Sequence, residues 1–333
     1  MTGRRLFTLL AAAGVAAVGA PSPALAQSAA PPAAVAEAQS LVRDGDYRDA
    51  IGVLNRYLAT RPNDAAALVA RGDAYAALDD QRSAIADYTA AIAADPSDAY
   101  AYASRCQARD DSDENDGALA DCSKAVALDP SLAYAYRERA IVQLDRDDGV
   151  AAFSDADKAV ALEPGESASL RVRCRAYLAN QRYDEAVADC TAALAVDPEN
   201  EDALLFRGRA EAMAQRWPAA VADLDAVLKL DPKSGDGLFW AAYARLGSGA
   251  YDGALSAAGA YLAANGDDAD GYLLRGEIEA KLGRFDAARS SASAALRSYR
   301  NDDDEDGAAK AQRLLDALDA DPPRALASPL PPP

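Results

Sequence analysis

The chain has 333 residues, of which 53 are acidic, 34 are basic and none is histidine, so its formal net charge is −19. The missing histidine excludes Ser-His-Asp and Cys-His catalysis and every metal or haem site that needs an imidazole ligand. The negative charge disfavours nucleic acids and anionic membranes as partners, because their binding depends on clustered lysine and arginine. Hydrophobic residues make up 50% of the chain, which is enough for a folded core.

Residues 1–26 have the pattern of a secretory signal peptide. Two arginines precede an apolar run over residues 6–20, and Ala24-Leu25-Ala26 forms a small-residue cleavage site. The apolar run is too short to span a bilayer, and we expect no membrane span in the mature chain. A flexible linker is expected at 27–33. The pattern predicts export to the periplasm, with secretion as the alternative, and leaves open both the general secretory and the twin-arginine route.

A period of 34 residues runs through the rest of the chain. Six prolines recur at this spacing: Pro62, Pro96, Pro130, Pro164, Pro198 and Pro232. An alanine column lies twelve residues before them and extends further: Ala50, Ala84, Ala118, Ala152, Ala186, Ala220, Ala254 and Ala288. A small residue precedes each alanine by another twelve: Ala38, Gly72, Cys106, Ala140, Cys174, Gly208, Ala242 and Gly276. Such a period indicates a repeat architecture.

Each period is interpreted as two antiparallel helices. Small residues let the two helices approach closely, and the proline ends the second helix. Polar and flexible residues around Gly45 and Gly283 lie where the hairpin reverses. Because one hairpin cannot bury its own apolar face, neighbouring hairpins are expected to stack into a continuous core.

This pattern resembles the tetratricopeptide repeat family in its length, its small-residue columns, its closing proline and the aromatic residue before the second helix. The aromatic residues are Tyr47, Tyr183, Tyr251 and Phe285. The resemblance implies an all-α fold, a right-handed superhelical α-solenoid of about eight repeats over residues 34–302. The repeats begin at Pro31, Ala65, Ala99, Ala133, Ser167, Glu201, Gly235 and Ala269, and positions within a repeat are counted from these residues.

The pattern changes at three places. Arg109 stands in the third repeat where Tyr75 and Tyr177 stand in others, so we expect a local distortion there. The sequence of residues 303–320 predicts an acidic turn, followed by an amphipathic helix that caps the last repeat. Residues 321–333 are rich in proline and predict a disordered tail.

Four cysteines occupy matched positions in two repeats. Cys106 and Cys122 stand at positions 8 and 24, as do Cys174 and Cys190 two repeats later. These positions are level across an antiparallel hairpin, so the spacing predicts the disulfides Cys106–Cys122 and Cys174–Cys190. An exported protein would meet an oxidising compartment. The alternative is four buried thiols that stay reduced.

A column of arginines faces a column of aspartates. Position 7 holds Arg71, Arg105, Arg139, Arg173 and Arg207. Position 23 holds Asp87, Asp121, Asp155, Asp189 and Asp223. Since these positions neighbour the cysteine level, each arginine is expected to meet an aspartate of its own or the adjoining repeat. We interpret this Arg–Asp ladder as structural. Repeats seven and eight lack the aspartate and are expected to be held less firmly.

The resemblance also implies where a partner binds. In this family the first helices line a concave groove into which positions 2, 5, 9 and 12 commonly project. The candidate binding residues at these positions are Arg137, Arg171, Arg175, Arg209, Leu178, Leu205, Phe239 and Tyr243. Such a basic strip with apolar neighbours favours a protein or peptide partner with an acidic side chain or a C-terminal carboxylate. The alternative is that these arginines only solubilise the surface or pair with nearby acids.

No cofactor or metal is predicted. Asp302, Asp304 and Asp306 match the opening of a calcium loop, but Arg313 stands where a bidentate carboxylate is needed. Asp111, Asp113 and Asn115 have a similar spacing, but Cys122 stands where the bidentate carboxylate is needed. Both remain weak calcium candidates.

The sequence favours a non-enzymatic protein–protein interaction scaffold of the bacterial envelope. It shows no nucleophile–base pair and no phosphate-binding glycine loop. The alternatives are a structural or calcium-dependent envelope protein and, less favoured, a glycoside hydrolase that uses carboxylates on an α-solenoid.

Overall fold

The computed structural model describes residues 32–320, 324, 325 and 329. The predicted signal peptide at 1–26 lies outside these residues, as do most of the predicted linker and tail. The described residues form two compact units. The N-terminal unit comprises residues 32–181, and the C-terminal unit comprises the described residues from 182 onward.

The described residues are all-α and contain no strand. The helices of the N-terminal unit are α1 Ala33–Asp44, α2 Tyr47–Leu58, α3 Ala65–Ala76, α4 Gln81–Ala94, α5 Ala99–Asp110, α6 Asn115–Leu128, α7 Ala133–Asp145, α8 Gly149–Leu162 and α9 Ser167–Ala179. Those of the C-terminal unit are α10 Tyr183–Val196, α11 Glu201–Met213, α12 Trp217–Leu230, α13 Gly235–Ser248, α14 Tyr251–Asn265, α15 Ala269–Lys281, α16 Phe285–Asn301 and α17 Glu305–Leu318. Within each unit consecutive helices pack together, and the first helices of successive repeats also touch, as in a repeat solenoid.

A residue with left-handed backbone conformation stands at position 15 of every repeat. The residues with positive φ at this position are Gly45, Asp79, Asp113, Asp147, Gln181, Gln215, Gly249 and Gly283. The expected reversals around Gly45 and Gly283 are confirmed. The other five positions hold Asp or Gln, whose side chains make this conformation less favourable than glycine does.

The proline column ends the second helices as predicted. Asp95 and Asp129, which precede Pro96 and Pro130, have extended backbones and terminate α4 and α6. After Asp95 the next first helix, α5, starts with a side-chain cap, because Asp98 Oδ1 accepts a hydrogen bond from Ala101 N at 3.1 Å.

Positions 8 and 24 meet across the seam of hairpins that lie within one unit. A Cβ atom added to Gly72 would lie 2.6 Å from the Tyr88 ring, so the glycine makes room for the tyrosine. In repeat three the same positions carry the predicted disulfide Cys106–Cys122, with Cα atoms 5.4 Å apart. The cysteines at 174 and 190 are disulfide-bonded too, and no cysteine of the described chain is free. The reduced alternative is therefore wrong.

The Arg–Asp ladder is observed in repeats two, three, four and six. Each arginine donates from Nε and Nη2 to both carboxylate oxygens of its aspartate, at 2.7–2.8 Å: Arg71–Asp87, Arg105–Asp121, Arg139–Asp155 and Arg207–Asp223. Nη1 of Arg71 also reaches Asn55 Oδ1 of the preceding repeat, at 2.7 Å. The ladder therefore joins the two helices of a repeat and links neighbouring repeats.

The expected distortion of repeat three is absent. Helices α5 and α6 have 12 and 14 residues, the same lengths as α3 and α4 of repeat two. Arg109 fits because it turns toward α6, where it donates to Asp121 Oδ2 at 2.6 Å and runs beside Gly117, which has no side chain. At the other end of the chain, α17 packs on α15 and α16 and buries Leu314 and Leu318.

Candidate functional site

The first-helix face of the N-terminal unit is defined by positions 2, 5, 9 and 12 of its first helices. Tyr100 of α5 and Tyr134 of α7 are neighbours there, with ring centroids 5.4 Å apart. The Tyr134 hydroxyl donates to Gln107 Oε1 at 2.7 Å, and the Tyr100 hydroxyl donates to Asp73 Oδ2 at 3.5 Å. Tyr100 keeps 39% of its surface exposed. Helices α3, α5 and α7 thus form one aromatic and polar surface.

Asp73 lies at the α3 end of this surface. Its Oδ1 atom accepts a hydrogen bond from the Tyr88 hydroxyl at 2.8 Å. Among the described residues no lysine or arginine forms an ion pair with it. Burial raises the pKa of Asp73 to about 7, although the hydrogen bonds from Tyr88 and Tyr100 act in the opposite direction.

The predicted basic strip is largely neutralised in this unit. Arg137 is 12% exposed, and its guanidinium binds Glu138 Oε1 at 3.0 Å and Glu166 Oε2 at 3.4 Å. The same group lies 5.0 Å from the centroid of the Tyr134 ring. Arg175 Nη2 binds Asp145 Oδ1 at 2.5 Å. These two arginines already have anionic partners within their own unit.

Asp110 adds further negative charge near this surface. It ends α5 at position 12, and burial raises its pKa to about 7, with repulsion from Asp145 and other carboxylates as further causes. Its Oδ1 atom is buried without a hydrogen-bond partner. The remaining candidates of this unit, Arg171 and Leu178, lie on α9 and are half-buried.

The other predicted residues lie in the C-terminal unit, in an aromatic cluster. Leu205, Phe239 and Tyr243 are at most 9% exposed. The Arg209 guanidinium stacks 4.8 Å from the centroid of the Trp240 ring. Further rings complete the cluster through the edge contacts Phe239–Tyr261, Trp240–Tyr243 and Trp217–Tyr243.

Four residues of the N-terminal surface were not predicted from the sequence. Asp73, Tyr100, Gln107 and Tyr134 all stand at positions 2 or 9, which the family resemblance had marked. The binding residues predicted from sequence all lie in repeats four to seven, where arginines at these positions indicated a basic strip. Applying the same positions to repeats two to four would have found them.

The calcium candidates do not assemble into metal sites. Asp304 accepts from Gly307 N at 2.8 Å and caps α17. Within the described residues, no group of three or more Cys, Asp or Glu side chains is arranged to hold a metal ion. Beside Asp113 lies an open hollow of about 440 Å³, in which Arg146 pairs with Asp116 at 2.5 Å.

None of the helices that the structure describes is long and apolar enough to cross a membrane.

The family model for tetratricopeptide repeats matches residues 35–99, 173–235 and 241–303, together more than half of the sequence. With the repeat solenoid described above, this match shows that the chain belongs to the tetratricopeptide repeat family. Members of this family bind protein partners and are in general scaffolds without enzymatic activity. A search of the curated proteins found no match to this chain.

Similar solved structures share the fold. The Cut9–Hcn1 hetero-tetramer of the APC/C aligns with a TM-score of 0.66 and 16% identity, covering 72% of this chain and 48% of the other. This chain therefore spans about half the length of that relative. A tetratricopeptide repeat protein from Parabacteroides merdae aligns with a TM-score of 0.54 and 16% identity, covering 74% and 97%. The pilF protein of Pseudomonas aeruginosa aligns with a TM-score of 0.52 and 19% identity, covering 65% and 96%.

Proposed function

We propose that this protein is a non-enzymatic interaction scaffold of the bacterial envelope that binds a protein or peptide segment on the first-helix face of its N-terminal unit. The observation that carries the proposal is the shared surface of Tyr100, Tyr134, Gln107 and Asp73 on three successive first helices. Tyrosine pairs with a polar tip and an exposed ring are typical anchors of protein interfaces.

A partner with an acidic group, as the sequence suggested, would have to compete with ion pairs that already exist. It would displace Glu138 or Glu166 from Arg137 and Asp145 from Arg175. A partner that binds the tyrosines does not have to displace these carboxylates from the arginines. We therefore place the main contact on the tyrosines and keep the acidic partner as an outcome to be tested.

The binding proposal is tested by affinity capture from envelope extract. The variant Tyr100→Ala/Tyr134→Ala is expected to lose a partner that the wild type retains. The matched control is Tyr102→Ala/Tyr136→Ala, which removes two tyrosines from the same helices on a different face, where arginines stack on them at 5.6 Å. Equal loss in both variants, or equal capture by both, would contradict the assignment.

The envelope location is supported by the signal-peptide pattern of residues 1–26 and by the oxidised cysteines, because disulfides persist in oxidising compartments. Fractionation and intact mass test it. We expect a mature chain that begins at Gln27 and gains mass on reduction. An uncleaved cytoplasmic chain with reduced thiols would refute the location and leave the binding proposal standing.

A glycoside hydrolase is not favoured. Asp73 and Asp110 do have raised pKa values, as a catalytic acid requires. However, neither of them lines the hollow beside Asp113.

A further inference from the structure

We propose that the segment bound on the first-helix face carries a basic side chain, lysine or arginine, that binds Asp73 and stacks on Tyr100. This inference rests on the proposed function and names its partner chemistry. It reverses the expectation from the sequence, which favoured an acidic partner.

The first step is the hydrogen-bonding capacity of Asp73. A carboxylate offers about four acceptor positions. Tyr88 fills one at 2.8 Å, and Tyr100 makes a long contact of 3.5 Å with the other oxygen. Since no described lysine or arginine pairs with Asp73, it can accept charge-assisted donors from a ligand.

The second step is the balance of charge on the surface. Arg137, which stacks on Tyr134 at this surface, is already paired with Glu138 and Glu166. Asp98, which caps α5, adds repulsion to Asp73. The carboxylates without a cationic partner therefore outnumber the available cations here, and a positive ligand group complements them.

The third step is the aromatic surface. A cation over a tyrosine face gains about 0.5–1 kcal/mol at an exposed site. The Tyr134 ring already carries Arg137. Tyr100 is exposed and hydrogen-bonded to Asp73, so a basic side chain that reaches the carboxylate can lie along this ring. Burial raises the pKa of Asp73 to about 7, and a neighbouring cation would offset the cost of ionising it.

A random twelve-residue peptide library displayed on phage tests the inference. Wild-type protein is expected to select peptides enriched in lysine and arginine. The best peptide, remade synthetically, should bind Asp73→Asn about tenfold more weakly, the size of a lost charge-assisted hydrogen bond. The control Asp49→Asn makes the same charge change on helix α2, where the aspartate is exposed, and should weaken binding less than twofold.

The outcomes separate this inference from the proposed function. Selected peptides that depend on Tyr100 and Tyr134 but are acidic, or show no charge preference, would overturn the basic partner alone. Equal weakening by Asp73→Asn and Asp49→Asn would mean that only the diffuse negative charge acts, and it would also overturn the inference. If no selected peptide depends on the two tyrosines, both the inference and the binding proposal fail. Circular dichroism of the variants verifies that each remains folded.

Discussion

Repeat three, residues 99–132, and repeat seven, residues 235–268, build the same helix hairpin from opposite kinds of side chain. In repeat three, the seam is closed by the disulfide Cys106–Cys122. Next to it, the buried carboxylate of Asp121 accepts from both Arg105 and Arg109. Covalent and ionic contacts hold this hairpin.

Repeat seven has alanine at the disulfide and ladder positions, and of these groups it keeps only the arginine of position 11, Arg245. Ala242 and Ala258 stand at the cysteine positions, and Ala241 and Ala257 stand at the ladder positions; all four are at most 5% exposed. Aromatic residues around Trp240 supply the contact area instead.

The comparison shows that the residues repeated every 34 positions define the hairpin, whereas the contacts that stabilise it differ from repeat to repeat. The turn at position 15 and the small residues at position 8 recur in both repeats and define the hairpin. The groups that hold its helices together can be exchanged. Because a repeat protein is stabilised locally by each unit and its neighbours, such exchanges can be tested repeat by repeat.

The largest expected effect comes from breaking the ionic centre of repeat three. Asp121→Ala leaves Arg105 and Arg109 without their shared carboxylate, and loss of one partner of a buried pair costs about 3–5 kcal/mol. Hydrogen exchange should rise in α5 and α6. The matched variant Asp87→Ala in repeat two frees only one arginine and should cost less. Equal losses would show that the second arginine adds nothing.

Removing the disulfide of repeat three comes next. The variant Cys106→Ala/Cys122→Ala is expected to lose about 3 kcal/mol, the chain-entropy effect of a loop of this size. Ala140 and Ala156 fill the same positions in repeat four, so the seam tolerates two alanines and the loss reports the cross-link. Denaturation with and without reductant measures it: reductant should destabilise the wild type more than the variant. An identical response would refute the cross-link's contribution.

The converse experiment introduces an Arg–Asp ladder pair into repeat seven, which lacks it. Ala257→Asp places an unpaired carboxylate at a buried position and is expected to cost about 2 kcal/mol. Adding Ala241→Arg supplies its partner and should recover most of this loss, as measured by a double-mutant cycle. If the double variant is no more stable than Ala257→Asp, the surrounding aromatic cluster does not accept the ladder.

The sequence predicted contacts within one hairpin better than contacts between repeats. The disulfide Cys106–Cys122 and the pairs of the ladder were predictable because both partners lie sixteen residues apart in a single antiparallel hairpin. The sequence left open whether Arg137 is available or paired, because its partner Glu166 lies 29 residues on and caps α9, the first helix of the next repeat. Such a contact depends on how repeats stack, which residue spacing alone does not specify.

The turns show a second limit of prediction from sequence. Gly45 and Gly283 mark their turns by residue type, whereas Gln181 and Gln215 adopt the same left-handed conformation without a glycine. The repeat period determines the conformation at these sites against the preference of the side chain. Tyr100 and Tyr134 also stand at a position that commonly projects into the groove in this family. The surface that they form is aromatic and polar, however, whereas the sequence predicted a basic strip.

The smallest expected effect tests whether this turn is equivalent in the two repeats compared. Position 15 is Asp113 in repeat three, with φ of 60°, and Gly249 in repeat seven, with φ of 83°. A Cβ atom added to Gly249 would meet nothing within 4 Å, so Gly249→Ala isolates the backbone penalty of about 1 kcal/mol. Asp113→Gly should be neutral or stabilise by a few tenths of a kcal/mol, since glycine relieves the left-handed strain but adds entropy to the unfolded chain. Urea denaturation of both variants measures the difference. A loss of 1 kcal/mol or more in Asp113→Gly would mean that the aspartate side chain itself stabilises the turn of repeat three, and the two hairpins would then differ in their turns as well as in their seams.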